Sequence, residues 1–270
     1  MIPKIIHYIW FGGNPLPEDA VKCINSWKKY CPDYEIKEWN ESNFDINACE
    51  YIKEAYSAKK WAFVSDYARL YVLVKFGGIY MDTDVEVVKP LDEFLTLRAF
   101  SGFETEKTVP TGMMACEKDH PFFDRLLHEY DGIHFTDKNG NHDLTTNVTR
   151  ITKACLAAGL ILNNQKQEVE GFTLYPNDYF CPLSHTDGKL YKTNNTYTIH
   201  WFAGSWKSEA EQNAHRKAME FKNKYPGYIG KVLAVVYEGV IKVYDTLNSD
   251  GFKGLLGRIN RFIKKKMEIK

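Results

Sequence analysis

The chain has 270 residues, of which 44% are apolar, and its 35 lysine and arginine residues equal its 35 aspartate and glutamate residues. This length and apolar content fit one large α/β domain, alone or with an appendage, and they exclude global disorder. A net charge of zero argues against a general nucleic-acid binder. The aromatic share of 14% fits a large aromatic core first, and a carbohydrate or nucleotide site second.

The six cysteines show none of the C-x-x-C spacing of a zinc or redox site, and nothing indicates a disulfide framework. We therefore expect reduced thiols in a cytosolic compartment. The N-terminus lacks the charged and apolar regions of a signal peptide, and no stretch approaches the roughly 20 apolar residues that span a bilayer. The sequence thus predicts a cytoplasmic protein, either soluble or peripheral on a membrane.

The first half of the chain alternates between strand and helix patterns. A buried strand over 4–11 precedes a helix over 17–30 and a short strand over 34–39. Further helices are predicted over 51–58 and 59–76, and the second ends at the stop signal Gly77-Gly78. Very short strands follow over 79–81 and 85–88. This order is typical of the beginning of an α/β sheet.

The second half contains weaker signals of the same kind. Strands are predicted over 99–103, 113–116, 172–175 and 197–201, and helices over 120–130, 144–158 and 207–225. Pro226-Gly227 then divides a domain over 1–226 from a helical extension over 227–270, with helical stretches over 229–247 and 252–266.

Two aspartates directly follow the shortest strand, in the sequence Asp82-Thr83-Asp84. In an extended segment, side chains at i and i+2 point the same way, so two carboxylates would repel unless a cation lies between them. Carboxylate oxygens favour Mg²⁺ or Mn²⁺, and these ions take substrate phosphates as further ligands. The alternative is a solvated turn that binds nothing.

A charged pair, Asp66 and Arg69, lies upstream in the apolar helix at positions i and i+3, so the two side chains share a face. Charges in such a helix are costly unless they are used or paired. Either both line a pocket, with Asp66 accepting bonds from sugar hydroxyls and Arg69 facing sugar or phosphate, or they form a mutually satisfied ion pair.

Three blocks of the sequence resemble glycosyltransferase family 32. The segments Ser65–Arg69 and Phe76–Asp84 are similar to its signature, Ile2–Trp10 looks like its first strand, and His200–Trp206 resembles its closing motif. The family includes bacterial capsule and lipopolysaccharide transferases, and the same block looks like the glucosyltransferase domain of large clostridial toxins. The resemblance implies a GT-A type fold, with a Rossmann-like nucleotide-binding half, a mixed central sheet and an acceptor half.

The resemblance also implies the reaction. It is a metal-dependent, anomer-retaining transfer of a hexose from a nucleoside diphosphate sugar, with UDP-hexose favoured. The acceptor would be a glycan or a lipid-linked sugar in the synthesis of bacterial surface polysaccharide. Asp82, Asp84 and Arg69 are the predicted catalytic residues. No protein general base is named, because a phosphate oxygen of the donor can take the proton in a front-face reaction.

The family's binding residues carry over onto matching positions of this chain. Asp84 is expected to be the firmer metal ligand, with His200 completing the site for Mn²⁺ or Mg²⁺ and Asp82 bridging to ribose, sugar or metal. The donor-binding residues would be Trp10 at the base, Asp66, Arg69, Tyr80 and Asp82 around the sugar, and Ser205 and Trp206 at the diphosphate.

One segment departs from the family pattern. Many relatives carry a Gly-Pro pair before the helix on the acceptor side, whereas this chain has Leu144–Thr149 at that place. Acceptor contacts there are therefore in doubt, and Asn147 is the one candidate.

The last residues of the chain are strongly basic. Apolar residues recur at helical spacing, which describes either a basic amphipathic helix on the anionic inner-membrane surface or an ordinary solvated terminal helix. The charged residues of 252–270 are Lys253, Arg258, Arg261, Lys264, Lys265, Lys266, Glu268 and Lys270.

Two other functions remain open at this point. A haloacid dehalogenase-like phosphatase would use Asp82 as nucleophile and Asp84 as acid and base. However, Glu86 stands where that motif needs Thr or Val, and its downstream acidic cluster is missing. The other alternative is a non-catalytic module that binds sugar nucleotides or glycans, against which the intact Asp82, Asp84 and His200 argue.

Overall fold

The fold is known from a computed structural model, and its contacts divide the chain into two compact units. The first unit is Met1–Ser184 with Leu190–Phe202, and the second is His185–Lys189 with Ala203–Lys270. The predicted boundary at 226/227 stays a prediction. The structure describes residues 1–109, 112–184, 187–204, 209–225, 227–230, 232–241, 243–244 and 247.

Strands and helices alternate up to the aspartate motif, as the sequence predicts. Helix α1 is amphipathic, because its buried residues Ala20, Cys23, Ile24 and Trp27 recur at i, i+3, i+4 and i+7. The elements are β1 (Ile5–Ile9), α1 (Glu18–Tyr30), β2 (Glu35–Trp39), α2 (Glu50–Ser57), α3 (Trp61–Phe76), β3 (Gly78–Met81) and β4 (Val85–Val87).

The second half adds the far side of the sheet. Helix α5 begins at Asn147 rather than at residue 144, because the Thr146 side chain accepts a hydrogen bond from the Thr149 N–H and caps it. Two elements of three and four residues, β7 and α6, are too short for a periodic signal and were missed. The elements are β5 (Ala99–Gly102), β6 (Met113–Cys116), α4 (Pro121–His128), α5 (Asn147–Ala157), β7 (Gln167–Val169), β8 (Phe172–Tyr175), α6 (Asn177–Phe180), β9 (Thr198–His200) and α7 (Glu209–Lys224).

The central sheet has seven strands in the order β2-β1-β3-β6-β5-β8-β7. Strand β1 pairs in parallel with β2 and β3, β6 is antiparallel to both β3 and β5, β8 is parallel to β5, and β7 is antiparallel to β8. The predicted α/β class with a mixed central sheet is confirmed. A separate two-stranded sheet joins β4 to β9, with Val85 opposite His200.

Two glycines set the position of β3. Helix α3 ends where Gly77 adopts φ 66°, a left-handed conformation that favours glycine. A Cβ atom on Gly78 would lie 2.7 Å from the Ile5 carbonyl oxygen, so only glycine lets β3 approach β1 this closely. The aspartate motif therefore follows a strand that the glycine pair aligns next to β1.

The second unit is helical in its described part. Besides α7, helical residues occur over 228–230, 232–241, 243–244 and at 247, in agreement with the prediction for 229–247. No helix among the described residues is long and apolar enough to cross a membrane. The predicted break at Pro226 and the basic segment 252–270 lie outside the described residues.

Candidate donor and metal site

The two aspartates flank a turn between β3 and β4, so the predicted extended segment is wrong. The Val85 N–H donates to the Asp82 carbonyl at 3.0 Å, and the Asp82 N–H donates to the Gly112 carbonyl at 2.7 Å. Nevertheless, one ligand atom each from Asp82, Asp84 and His200 can be chosen so that all lie within 4.8 Å of one another. The carboxylates converge because of the turn and not because of strand alternation.

Asp82 is compensated by residues that are close to it in the sequence. The Tyr80 hydroxyl donates to Asp82 Oδ1 at 2.5 Å. The Nη2 atom of Arg69 lies 3.2 Å from Asp82 Oδ1 and 3.4 Å from Asp66 Oδ1. The Arg69 guanidinium also lies 4.6 Å from the centroid of the Tyr80 ring. Arg69 therefore bridges two carboxylates. The alternative of an isolated ion pair between Arg69 and Asp66 does not describe this arrangement.

The charges around Arg69 do not balance. Burial raises the pKa of both Asp66 and Asp82, and the positive charge of Arg69 opposes that rise in each case. Burial by itself lowers the pKa of Arg69, but Asp82, Tyr80 and Asp66 together outweigh burial and the pKa is raised. One guanidinium thus serves one buried and one partly exposed carboxylate, which leaves negative charge that a cation would stabilise.

Asp66 is held in place by the first residue of α5. The Asn147 N–H donates to Asp66 Oδ2 at 3.0 Å, and the Asn147 Nδ2 donates to the Asp66 carbonyl at 2.9 Å. Asn147 is the first residue of α5 and only 1% exposed, so it packs against α3. A carboxylate oxygen can accept more than one hydrogen bond, so these bonds leave capacity for a sugar hydroxyl. The contact of Asp66 with donor sugar stays a prediction.

Asp84 is compensated from a distant part of the chain. His200 Nε2 lies 3.3 Å from Asp84 Oδ1, and the Trp201 N–H donates to the Asp84 carbonyl at 3.0 Å. Burial lowers the pKa of His200, but the charge and hydrogen bond of the Asp84 carboxylate, together with the Cys181 thiol, outweigh burial and raise that pKa well above its usual range. The pairing of β4 with β9 is what brings this imidazole to the motif.

Gly112 is a site residue that the sequence did not reveal. A Cβ atom there would lie 2.6 Å from Nδ1 and 2.8 Å from Cε1 of His200, so the imidazole fits only because the side chain is missing. The carbonyl of the same residue holds the Asp82 backbone. A glycine just before a strand carries no sequence signal for this role, because its partner is 88 residues away.

Trp10 is not part of this cluster of contacts. Trp10 is half-buried at the end of β1, and its indole N–H donates to the Asn14 carbonyl at 2.6 Å. Ser205 and Trp206 lie outside the described residues. Trp201 is 42% exposed and its indole N–H donates to Glu86 Oε2 at 3.0 Å.

The cluster of Asp82, Asp84 and His200 fits a divalent metal ion. Two carboxylates and one imidazole are donors that Mn²⁺ and related ions accept. The Asp82 side chain is 24% exposed, Asp84 16% and His200 13%, against 6% for Arg69. Solvent, an ion or a phosphate can therefore reach these three side chains from outside, whereas Arg69 lies behind them.

Comparison with known proteins agrees with this chemistry. A family profile described as "glycosyltransferase sugar-binding region containing DXD motif" matches residues 17–101. An uncharacterized glycosyltransferase of Acanthamoeba polyphaga mimivirus is 30% identical over 212 residues, covering 72% of this chain and 82% of that protein. Inositol phosphoceramide mannosyltransferase 3 of Schizosaccharomyces pombe is 34% identical over 129 residues, covering 45% of this chain.

The chain spans only 35% of the length of that yeast relative. Among solved structures, a glycosyltransferase involved in glycosylation of the major capsid of PBCV-1 aligns with a TM-score of 0.42 at 13% identity, over 78% of this chain and 98% of that one. The galactosyltransferase LgtC aligns with a TM-score of 0.39 at 12% identity, over 83% and 97%. The motif, the site and the match over most of the viral relative lead to one conclusion: the chain belongs to the DXD-containing glycosyltransferases of family 32.

Proposed function

We propose that the protein is a metal-dependent, retaining hexosyltransferase that uses a nucleoside diphosphate hexose, with UDP-hexose as the first choice. The observation that carries the proposal is the convergence of Asp82, Asp84 and His200, whose ligand atoms lie within 4.8 Å of one another. Two partly exposed carboxylates at a turn, with an imidazole from β9 beside them, are suited to bind a cation together with a diphosphate.

The metal would be held by Asp84 and His200, with Asp82 assisting directly or through water. When bound, Mn²⁺ or Mg²⁺ supplies positive charge that stabilises the departing diphosphate. The imidazole is a suitable ligand only when it is neutral, so binding of the ion would displace the proton that Asp84 favours on His200. Metal affinity is therefore expected to rise with pH.

The other side of the cluster would bind the donor sugar. Arg69 is fixed by the carbonyl and hydroxyl of Ser65, at 3.1 Å each, and faces Asp82. We propose that Asp66 and Arg69 position the sugar and that Tyr80 orients Asp82. Trp10 would contact the base, and Ser205 with Trp206 would bind the diphosphate. Retention of the anomer would need no protein general base.

The acceptor is proposed to be a lipid-linked sugar, ahead of a free glycan. The names of several relatives support a lipid: inositol phosphoceramide mannosyltransferase in Schizosaccharomyces pombe and lactosylceramide 4-alpha-galactosyltransferase in Mus musculus. Synthesis of bacterial surface polysaccharide at the cytoplasmic face of the inner membrane, with contact through 252–270, is the setting we propose for it.

The test is release of nucleoside diphosphate from UDP-glucose, UDP-galactose and GDP-mannose with Mn²⁺ present. Asp84→Asn keeps the shape of the side chain and removes its charge, so we expect turnover to fall by roughly 100-fold or more. Asp124→Asn, at an exposed position in α4, is the matched control and should retain wild-type turnover.

Three outcomes separate the alternatives. Nucleoside diphosphate released by the wild type but not by Asp84→Asn supports the proposal. Release of inorganic phosphate instead would identify a phosphatase, and donor binding in a thermal-shift assay without any release would identify a binding module. Near wild-type turnover by Asp84→Asn would refute the assignment of the metal ligands.

A further inference from the structure

The helical residues after Gly227 expose an unusually apolar face. Within the unbroken run 232–241, Val232, Val236 and Val240 are spaced by four residues and lie on one side of the helix, with Val235 beside them. Their exposed fractions are 39%, 58%, 60% and 68%. We call this the valine face. Further exposed apolar side chains before and after this run are Tyr228, Ile229, Val243, Tyr244 and Leu247.

The opposite side of the same run is packed. Ala234 is 1% exposed, and the Tyr237 ring contacts Phe221 of α7 with the ring centroids 5.6 Å apart. The segment is thus already seated on its own unit by one side, and its valine face is what remains. A contiguous exposed apolar surface of this kind on a folded protein marks a place of interaction.

The sequence that follows carries the charge that identifies the partner. Residues 252–270 contain seven basic side chains and one acidic one, whereas residues 1–251 contain 28 basic and 34 acidic ones. The net charge is therefore +6 in the last segment and −6 in the rest of the chain. An anionic surface would attract the segment that follows the valine face in the sequence and repel the remainder of the protein.

We propose that the valine face docks on an anionic lipid bilayer, with the helical segment parallel to the membrane surface. The face is apolar enough to enter the boundary between head groups and acyl chains, and the charges of 252–270 bind acidic head groups. Tyr228 and Tyr244, 83% and 61% exposed, carry the amphipathic side chains that are typical of this boundary. The described helices are too short or too polar to span the bilayer instead.

A second copy of the chain is a poorer fit to the same face. Self-association would join two chains that each carry a segment of charge +6 without neutralising either, and like charges repel most strongly at low ionic strength. An anionic bilayer buries the same apolar side chains and neutralises the charge. The docking does not depend on the transfer reaction proposed above, because the residues that carry it are not residues of the donor and metal site.

The experiment is co-sedimentation of the full chain with vesicles of phosphatidylcholine alone and with phosphatidylglycerol added. We expect the wild type to bind the anionic vesicles, with binding weakened at 0.5 M NaCl. The double substitution Val236→Glu and Val240→Glu should weaken this binding about tenfold or more, because it places charges in the apolar face. Both positions are exposed, so the fold should be retained.

The matched control carries the same change at two exposed apolar residues of the first unit, Leu156→Glu and Ile161→Glu. It should sediment like the wild type, and hydrolysis of donor without vesicles should be equal in all three proteins. A wild type that does not bind anionic vesicles, or a face variant that binds as well as the wild type, overturns the proposal. A wild-type dimer that Val236→Glu with Val240→Glu converts to a monomer, with no vesicle binding, would assign the face to a second copy and also overturn it.

Discussion

The two carboxylates of the motif are separated by a single residue in the sequence but depend on different parts of the fold. Asp82 is compensated by Arg69 and Tyr80, which are its neighbours along α3 and β3. Asp84 is compensated by His200, which the β4–β9 pairing delivers from 116 residues downstream. We refer to these as the Asp82 side and the Asp84 side.

We infer from this difference that the two sides contribute differently to stability and to metal binding. Arg69 is almost fully buried and links α3 to the motif, so the Asp82 side supports the fold as well as the site. The side chains of Asp84 and His200 are 16% and 13% exposed, against 6% for Arg69, and the Asp84 side rests on a pair of three-residue strands. Substitutions on the Asp82 side should therefore cost stability, and substitutions on the Asp84 side should mainly cost metal binding.

The strongest test of this contrast is Arg69→Met. It removes the charge and leaves Asp66 and Asp82 buried without their partner, so the free energy of unfolding should fall by about 3–5 kcal/mol. Urea unfolding measures the loss. Arg98→Met is the control, because it breaks a half-exposed pair with Glu117 and should cost about 1 kcal/mol or less. Equal losses in both variants would remove the special role of Arg69 in the fold.

Acid should lower the stability of the fold through His7, which hydrogen-bonds to Gly77 just before β3. The Trp39 indole N–H donates to His7 Nδ1 at 3.0 Å, and His7 Nε2 donates to the Gly77 carbonyl at 2.8 Å, so the ring is held neutral. Burial lowers the pKa of His7 to about 4. In the unfolded chain that pKa is about 6.5, so the unfolded state binds more protons between pH 6.5 and 4 and stability is lost as pH falls.

We expect this group to contribute about 3 kcal/mol to the loss between pH 7 and pH 4. The measurement is urea unfolding at several pH values for the wild type and His7→Gln, in which this contribution to the pH slope should disappear. His128→Gln, at an exposed position, is the control and should not flatten the profile. The idea fails if the profiles of wild type and His7→Gln are parallel.

On the Asp84 side, Gly112→Ala should act on the metal site. The added methyl group would collide with the His200 imidazole, so we expect Mn²⁺ affinity to fall about tenfold. Titration followed by the electron paramagnetic resonance signal of free Mn²⁺ measures it. Gly239→Ala, where a Cβ meets nothing within 4 Å, is the control. Unchanged affinity in Gly112→Ala would show that His200 is not a ligand or does not need this position.

The smallest effect should come from Asn147→Ala, again on the Asp82 side. It removes the side-chain bond to the Asp66 carbonyl but keeps the backbone bond to the carboxylate, so about 1 kcal/mol of stability should be lost. Asn43→Ala removes a comparable amide-to-carbonyl bond and also a bond from the Asn40 N–H, but at an exposed position, and should still cost less. A larger loss for Asn43→Ala would contradict the structural weight given to Asn147.

Much of the fold could be predicted from the sequence because the patterns that indicate helices and strands are local. The spacing of apolar residues marked α1 and α3, the glycines at 77 and 78 marked the end of α3, and strands Met113–Cys116 and Phe172–Tyr175 were predicted to the residue. The elements β7 and α6 were missed because three or four residues do not complete a period. The site residues were predicted as types at given spacings, not as a geometry.

Two features of the site were readable in the sequence: two carboxylates follow a short strand, and Asp66 and Arg69 share a helix face. Short-range spacing fixes such features, because a helix or strand repeats within a few residues. The block from His200 onwards was recognised only by its resemblance to a family motif. Three features of the site depend on the folded chain: the carboxylates meet across a turn, Arg69 serves both Asp66 and Asp82, and Gly112 makes room for His200. Gly112 and His200 are 88 residues apart, and even the contact of Arg69 with Asp82 depends on how α3 packs against β3, so spacing along the chain does not select these partners.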